Sequence, residues 1–226
     1  MSTANPMSTR GQRLSWCLYD FANSAFPTVI VTAVYVLYFK NVVVGGEPGA
    51  SDRLWGAANS AAAFIVFLTA PLLGAVADIS GRKRAFLAVY ALTCAAATAL
   101  LSLTGPGTVA LAVGAFVLAT VGFEGSCVFY NAFLPELVPE SHMGRLSGAG
   151  WALGYMGGLL CLLAVLPIAA DHTALVPLVV AIWYFAFSLP SLLSLRDKNR
   201  PVREPGAPSF LVQGARRFAS TLREIR

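Results

Sequence analysis

The stretch GAVADISGRKR, Gly74–Arg84, decides how the rest of the chain is read. A long apolar run stops there, three consecutive cations follow at Arg82, Lys83 and Arg84, and a second apolar run begins at Ala85. Two membrane-crossing helices joined by a short hinge account for this pattern. Because cations flanking apolar segments collect on the cytoplasmic side of a membrane, the hinge orients every segment before and after it.

Outward from the hinge, the composition supports the same reading. The chain is 57% hydrophobic and only 12% charged, with a mean hydropathy of +0.68, too apolar for a domain with a water-facing surface. An all-α integral membrane protein is predicted. The net charge of +5 does not point to nucleic acid, since the cations sit in loops and tails beside apolar runs, where membrane topology places them. Cys17, Cys94, Cys127 and Cys161 lie singly in four different apolar segments, without the close spacing of a metal site or redox pair. They read as packing residues, and neither a metal nor a cofactor is expected. No nucleophile with its base and no phosphate-binding glycine loop appears, so an enzyme is not expected either. Residues 1–13 are polar and the apolar run behind them is too long for a cleaved signal, so the first helix itself is expected to reach the bilayer.

Six runs are long enough to cross a hydrocarbon core that takes about 20 residues per helix: Leu14–Phe39, Leu54–Ala77, Ala85–Leu103, Val109–Leu134, Leu146–Ile168 and Ala174–Leu195. The predicted organisation is a cytoplasmic tail over 1–13, a six-helix membrane unit over 14–195 and a basic cytoplasmic tail over 196–226. With the hinge inside, the even helix number puts both termini inside. Fourteen cations then fall on that side against two, Lys40 and Arg53, outside. Discounting the last four of the tail still leaves ten against two. Pro27 and Pro71 each free a backbone carbonyl in mid-helix and are expected to bend helices one and two. In the tail, Leu211, Ala215, Phe218, Leu222 and Ile225 recur at helical spacing with arginines off the stripe, which predicts an amphipathic helix lying on the anionic inner leaflet.

The cost of burying charge singles out the candidate site. A carboxylate in mid-membrane costs roughly 2.5 to 3.5 kcal/mol on insertion scales, so it faces a bundle interior or an aqueous cavity and marks a transport path. Glu124 lies 11 residues before Pro135, about 16 Å deep at 1.5 Å per residue. No lysine or arginine occurs in the six spans, so Glu124 must be protonated, hydrated or paired from outside. A carboxyl that alternates between protonated and ionised forms is what proton coupling requires. Asp20, shallower in helix one, shares a helical face with Asn23, and a cavity-lining pair and a helix-capping or interhelical bond both fit them. Tyr130 and Asn131 end helix four, and Asn131 precedes Pro135 by the same four positions as Asn23 precedes Pro27. Helices one and four would then correspond in a 3+3 inverted repeat, with the site at the repeat interface. Trp151 and Tyr155, one turn apart on helix five, suit stacking on a substrate, although core packing is the commoner role of such a pair. Gly150, Gly154 and Gly158 leave one face of that helix without side chains, a surface for close helix contact.

At the hinge, Gly74, Asp78, Gly81, Arg82 and Arg84 fit GxxxDxxGRxR, which resembles the loop between helices two and three of the major facilitator superfamily. Two further stretches, WCLYDFANSAFPT from Trp16 and YNAFLPELVPESHMGRLSGAGWALGYMGG from Tyr130, resemble the branch of autophagy-related vacuolar amino-acid effluxers and their bacterial relatives. That resemblance implies a twelve-helix carrier with substrate between two six-helix halves, helices one and four lining the cavity, and the hinge acting as a gating latch between the halves. Two departures stand out: the chain supplies only the first six helices, and helix four has Gly122-Phe123-Glu124-Gly125 where many proton-coupled members carry an arginine. The expectation is one half of a secondary transporter for a small polar metabolite, amino acids by analogy, either proton-coupled or facilitated, working by alternating access in a bacterial cytoplasmic membrane. Its partner would be a second six-helix half, from a second copy or a separate C-terminal chain. A non-transporting six-helix assembly partner and an inactive truncation are the rival readings.

Overall fold

In the computed structural model, residues 8–46 and 48–197 are described, without the side chains at positions 48, 71 and 75–80. The amphipathic stripe expected over 211–225 and the side chains of Asp78 and Pro71 lie outside that description. Six long helical segments follow one another: α1 (Arg10–Asn23) with an extension to Val44, α2 (Pro48–Ser80), α3 (Lys83–Leu100), α4 (Val109–Asn131), α5 (Glu140–His172) and α6 (Val176–Ser194). Five continuous stretches are long and apolar enough to cross a membrane, and the last, Glu140–Ser194, is two helices joined by the single 3-10 turn Thr173–Leu175.

Helix α1 starts at Arg10, four residues before the expected boundary, because Thr9 and Gln12 form a capping box. Beyond Asn23 the chain does not bend at Pro27 as a simple kink. It widens into π-helix over Phe26–Ala33 and again over Phe39–Val44. Pro27 has no N–H to offer the preceding turn, and the ladder resumes one residue wider, with the Val34 N–H donating to the Val29 carbonyl at 2.9 Å and Thr32 Oγ1 donating to the Pro27 carbonyl at 2.8 Å. The first segment carries Lys40 near its far end, paired with Asp52 at 2.7 Å.

The packing has an internal symmetry. Helix α1 lies against α5 and α6, α4 against α2 and α3, and α3 against α6. Exchanging 1 with 4, 2 with 5 and 3 with 6 leaves that set of pairings unchanged, as an inverted repeat of three helices requires. Opposite ends of the bundle close separately. At one end Tyr35 Oη and Thr104 Oγ1 lie 3.1 Å apart and the Gly107 N–H donates to the Val43 carbonyl at 3.0 Å. At the other, Gln12 Nε2 donates to the Ser194 carbonyl at 3.2 Å and Ser15 Oγ lies 2.5 Å from Ser194 Oγ. The first and last described helices thus end on the same face.

The hinge is tighter than the sequence suggests, for α2 runs to Ser80 and α3 begins at Lys83. Gly81 makes the reversal in the left-handed region, φ 57°, where a β-carbon would strain the backbone. Lys83 and Arg84 consequently sit in the first turn of α3, where the helix dipole disfavours cations. Anions from neighbouring segments offset this. Lys83 Nζ meets Glu136 Oε1 at 2.8 Å and also donates to the Ala132 carbonyl at 3.1 Å. The Arg84 N–H donates to Asp197 Oδ1 at 3.1 Å, while its Nε donates to the Leu192 carbonyl in the last turn of α6 at 2.6 Å. Asp197 thereby caps the start of α3, and Arg84 caps the end of α6. Arg84, which the resemblance places in a latch between halves, fastens α6 of this same bundle.

Lys83→Met is expected to destabilise the bundle by about 2 kcal/mol, because both partners of its ion pair are largely shielded from water. Lys40→Met, whose partner Asp52 is 60% exposed, should cost less than about 1 kcal/mol. Thermal unfolding of the detergent-solubilised variants checks the difference.

Candidate functional site

The α1–α5 contact is set by glycine. A β-carbon built at Gly157 would stand 2.1 Å from the Phe21 carbonyl oxygen, one at Gly154 2.7 Å from Ser24 Oγ and one at Gly158 2.6 Å from Thr28 Oγ1. With no side chain on that face, the α5 backbone rests on α1. The approach brings Asp20 and Ser24 beside Trp151 and Tyr155, and these four residues line a cleft of about 200 Å³. Trp151 and Tyr155 are 63% and 73% exposed, in edge-to-face contact at 6.3 Å. They are not core residues, contrary to the commoner role for such a pair, because they flank the glycine face instead of lying under another helix.

Tyr130 is buried from α4 into the same neighbourhood. Its ring stacks on Trp16 at 4.3 Å and on Tyr19 at 5.0 Å, and Trp16 Nε1 donates to its carbonyl. Tyr130 Oη and Asp20 Oδ2 both lie 3.2 Å from the position a Gly150 β-carbon would take, which leaves them no more than about 6.4 Å apart. The Tyr130 hydroxyl is buried without a hydrogen-bond partner among the described residues. An unsatisfied buried donor is costly, and this one lies behind the cleft, under the side chains that line it.

Glu124 opens into a different space. The cleft there is about 510 Å³, between α1, α2 and α4, with Phe26, Pro27, Asn59, Thr120 and Phe123 among its walls. Glu124 is exposed, near the middle of the span Val109–Leu137, and no ion pair holds it among the described residues. The orientation of α4 explains this. A β-carbon at Gly122 would stand 2.6 Å from the Cys94 nitrogen, and one at Gly125 2.3 Å from the Tyr90 ring. The glycines on either side therefore press α4 onto α3 and turn Glu124 outward.

The predicted residues thus divide between two clefts. Asp20, Trp151 and Tyr155 share one, Glu124 lines the other, and Asn23 stands between them. Asn23 is buried and its Nδ2 donates to Cys127 Sγ at 3.7 Å, joining the helix faces that carry Asp20 and Glu124, each three residues away. Asn131 does not mirror it. It is the last residue of α4 and exposed, so the repeat visible in the helix pairing does not extend to the two asparagines. Helix α4 stops there because Pro135 starts a separate short turn, Leu134–Leu137. Sequence reading missed Thr120 and Asn59. Thr120 stands one turn before Glu124, an (i, i+4) polar pair that was open to view, whereas Asn59 had no local signal. All four cysteines are free.

Residues 55–226 match the family model described as "Vacuole effluxer Atg22 like". The chain is 29% identical over 229 aligned positions to the "Uncharacterized MFS-type transporter YxiO" of Bacillus subtilis (strain 168), covering 95% of this chain and 53% of that protein. It is 23% identical over 185 positions to an "Uncharacterized protein" of Aquifex aeolicus (strain VF5), covering 81% of this chain and 45% of the other. The chain therefore spans about half the length of the curated relatives it matches. No solved structure matches it. With the hinge motif, the six helices in inverted-repeat pairing and a family match over most of its length, the chain belongs to the Atg22-like vacuole effluxer family of the major facilitator superfamily.

Proposed function

We propose that this chain is the N-terminal six-helix half of a secondary transporter that moves a small polar metabolite bearing an ammonium group, with amino acids the fitting class, by alternating access. The observation that carries this reading is the Asp20 carboxylate beside the exposed rings of Trp151 and Tyr155. A carboxylate with aromatic faces at hand is the chemistry that recognises an ammonium group, through a charged hydrogen bond and cation–π attraction. Glu124 is the proton-coupling candidate, since its cleft is separate and among the described residues its carboxyl has no cation to hold it ionised.

The second half supplies the far wall of both clefts. Phe64 and Phe67 on α2 and Trp151, Tyr155 and Met156 on α5 are all more than half exposed, and the curated relatives are about twice as long as this chain. That half comes from a longer protein, a separate C-terminal chain or a second copy. The hinge end faces the cytoplasm, as the distribution of cations favours, in a bacterial cytoplasmic membrane.

Uptake of labelled amino acids into proteoliposomes containing the complete two-half assembly tests the proposal. Asp20→Asn is expected to weaken half-saturation by about tenfold or more, the worth of one charge-assisted contact at a partly desolvated site. Unchanged uptake would remove Asp20 from recognition. A non-transporting assembly partner would show no uptake at all and would tolerate Glu124→Leu.

A further inference from the structure

At the hinge end of the bundle, two turns below Asp20, a third cleft of about 310 Å³ lies between the starts of α1 and α5. Its walls carry Arg13, His142 and Arg145 together with Val138, Leu146 and Ala149, and among the described residues no acid. Arg13 reaches the Ser8 carbonyl through Nη2 at 3.5 Å, but its Nε is buried without a hydrogen-bond partner among the described residues. His142 Nδ1 contacts Ser141 Oγ at 3.0 Å, which leaves Nε2 unengaged by that contact. Neither arginine belongs to an ion pair among the described residues. The nearest acids along the chain, Asp20, Glu136 and Glu140, do not line the cleft: Asp20 lines the cleft two turns above, Glu136 is held by Lys83, and Glu140 is exposed at the start of α5.

We infer that this cleft binds the phosphate group of an anionic phospholipid, held by the Arg13 and Arg145 guanidiniums with His142 beside them. Guanidinium groups match phosphate oxygens in pairs, and the Arg13 and Arg145 side chains both line this one cleft. Depth distinguishes a lipid from a soluble anion. Arg13 immediately precedes Leu14 and Arg145 immediately precedes Leu146, so both cations sit where an apolar span begins, at headgroup level. Val138, Leu146 and Ala149 give an acyl chain an apolar wall. The site is independent of the substrate assignment, because it uses none of the residues of the Asp20 or Glu124 clefts.

Native mass spectrometry of the full chain in detergent, titrated with dioleoyl phosphatidylglycerol, dioleoyl phosphatidylcholine or inorganic phosphate, tests the inference. Retention of phosphatidylglycerol over phosphatidylcholine by about tenfold is expected, lost in Arg13→Gln/Arg145→Gln and kept in Arg10→Gln, which removes a cation from the same end outside the cleft. Arg145→Gln alone changes an exposed side chain with no hydrogen bond or ion pair among the described residues and should weaken retention severalfold, so a folding defect in the double variant leaves the test intact. Millimolar inorganic phosphate should not displace the lipid. Undiminished retention in both variants, or an equal loss in Arg10→Gln, would overturn the site. Phosphate that binds alone and displaces phosphatidylglycerol would overturn the lipid as its ligand.

Discussion

Gly157→Ala is expected to destabilise the bundle by about 3 kcal/mol, the upper range for overpacking a well-filled contact. The added methyl would stand 2.1 Å from the Phe21 carbonyl oxygen and 2.8 Å from the Phe21 carbonyl carbon and Cα. These are backbone atoms in the middle of the first membrane segment, so relief requires α5 to move away from α1 as a whole. Gly125→Ala should be milder even though its nearest contact is almost as short, because the obstacle is the Tyr90 ring, which can rotate aside. Gly148→Ala, with nothing within 4 Å, should be neutral or slightly stabilising, since alanine favours helix over glycine. Thermal unfolding of the detergent-solubilised chain, followed by thiol-dye labelling of the buried Cys17, Cys94 and Cys161, gives the ranking. Equal melting temperatures for Gly157→Ala and Gly148→Ala would show that α5 does not lie on α1 this closely. The same displacement should open the Asp20 cleft, so transport should fall in Gly157→Ala even where the protein remains folded.

The second large effect is expected at Glu124. Glu124→Gln keeps the shape and hydrogen-bonding reach of the side chain but removes its capacity to take up and release a proton. In proteoliposomes containing the complete assembly, substrate-driven proton movement read by an internal pH dye should be abolished, while exchange of labelled for unlabelled substrate, which needs no net proton release, should persist. The physical basis is the cost of an ionised carboxylate in mid-membrane at a position that no cation offsets among the described residues. Wild-type proton movement in the variant would remove Glu124 from coupling. Loss of both proton movement and exchange would mean that its carboxylate contacts substrate directly.

Much of the architecture was legible along the chain, because the bilayer imposes constraints that act locally. The six apolar runs, Gly81 at the hinge and the cations beside it each answer to the cost of placing polar atoms in hydrocarbon, and that cost is set residue by residue. The boundaries moved where the deciding interaction came from a cap or from another segment. Thr9 and Gln12 start α1 early, Pro135 ends α4 at Asn131, and the α3 start at Lys83 is stabilised by Glu136 and Asp197, 53 and 113 residues away. Pro27 was visible as a break in the ladder, but its outcome, a π-helical turn closed by Thr32 and Val34, depends on which backbone geometry the neighbouring helices permit.

By itself the sequence determined that this is a six-segment membrane bundle with a hinge-side excess of cations, because hydropathy and charge bias act on each segment before any tertiary contact forms. Only the tertiary structure decided how the candidate residues are grouped. Glycine faces on α4 and α5 set the rotation of each helix against its neighbour, and rotation determines which side chains meet. It placed Asp20 with Trp151 and Tyr155, turned Glu124 into a separate cleft, exposed Asn131 and committed Arg84 to the end of α6, because close helix contact is a relation between two surfaces that neither segment carries alone.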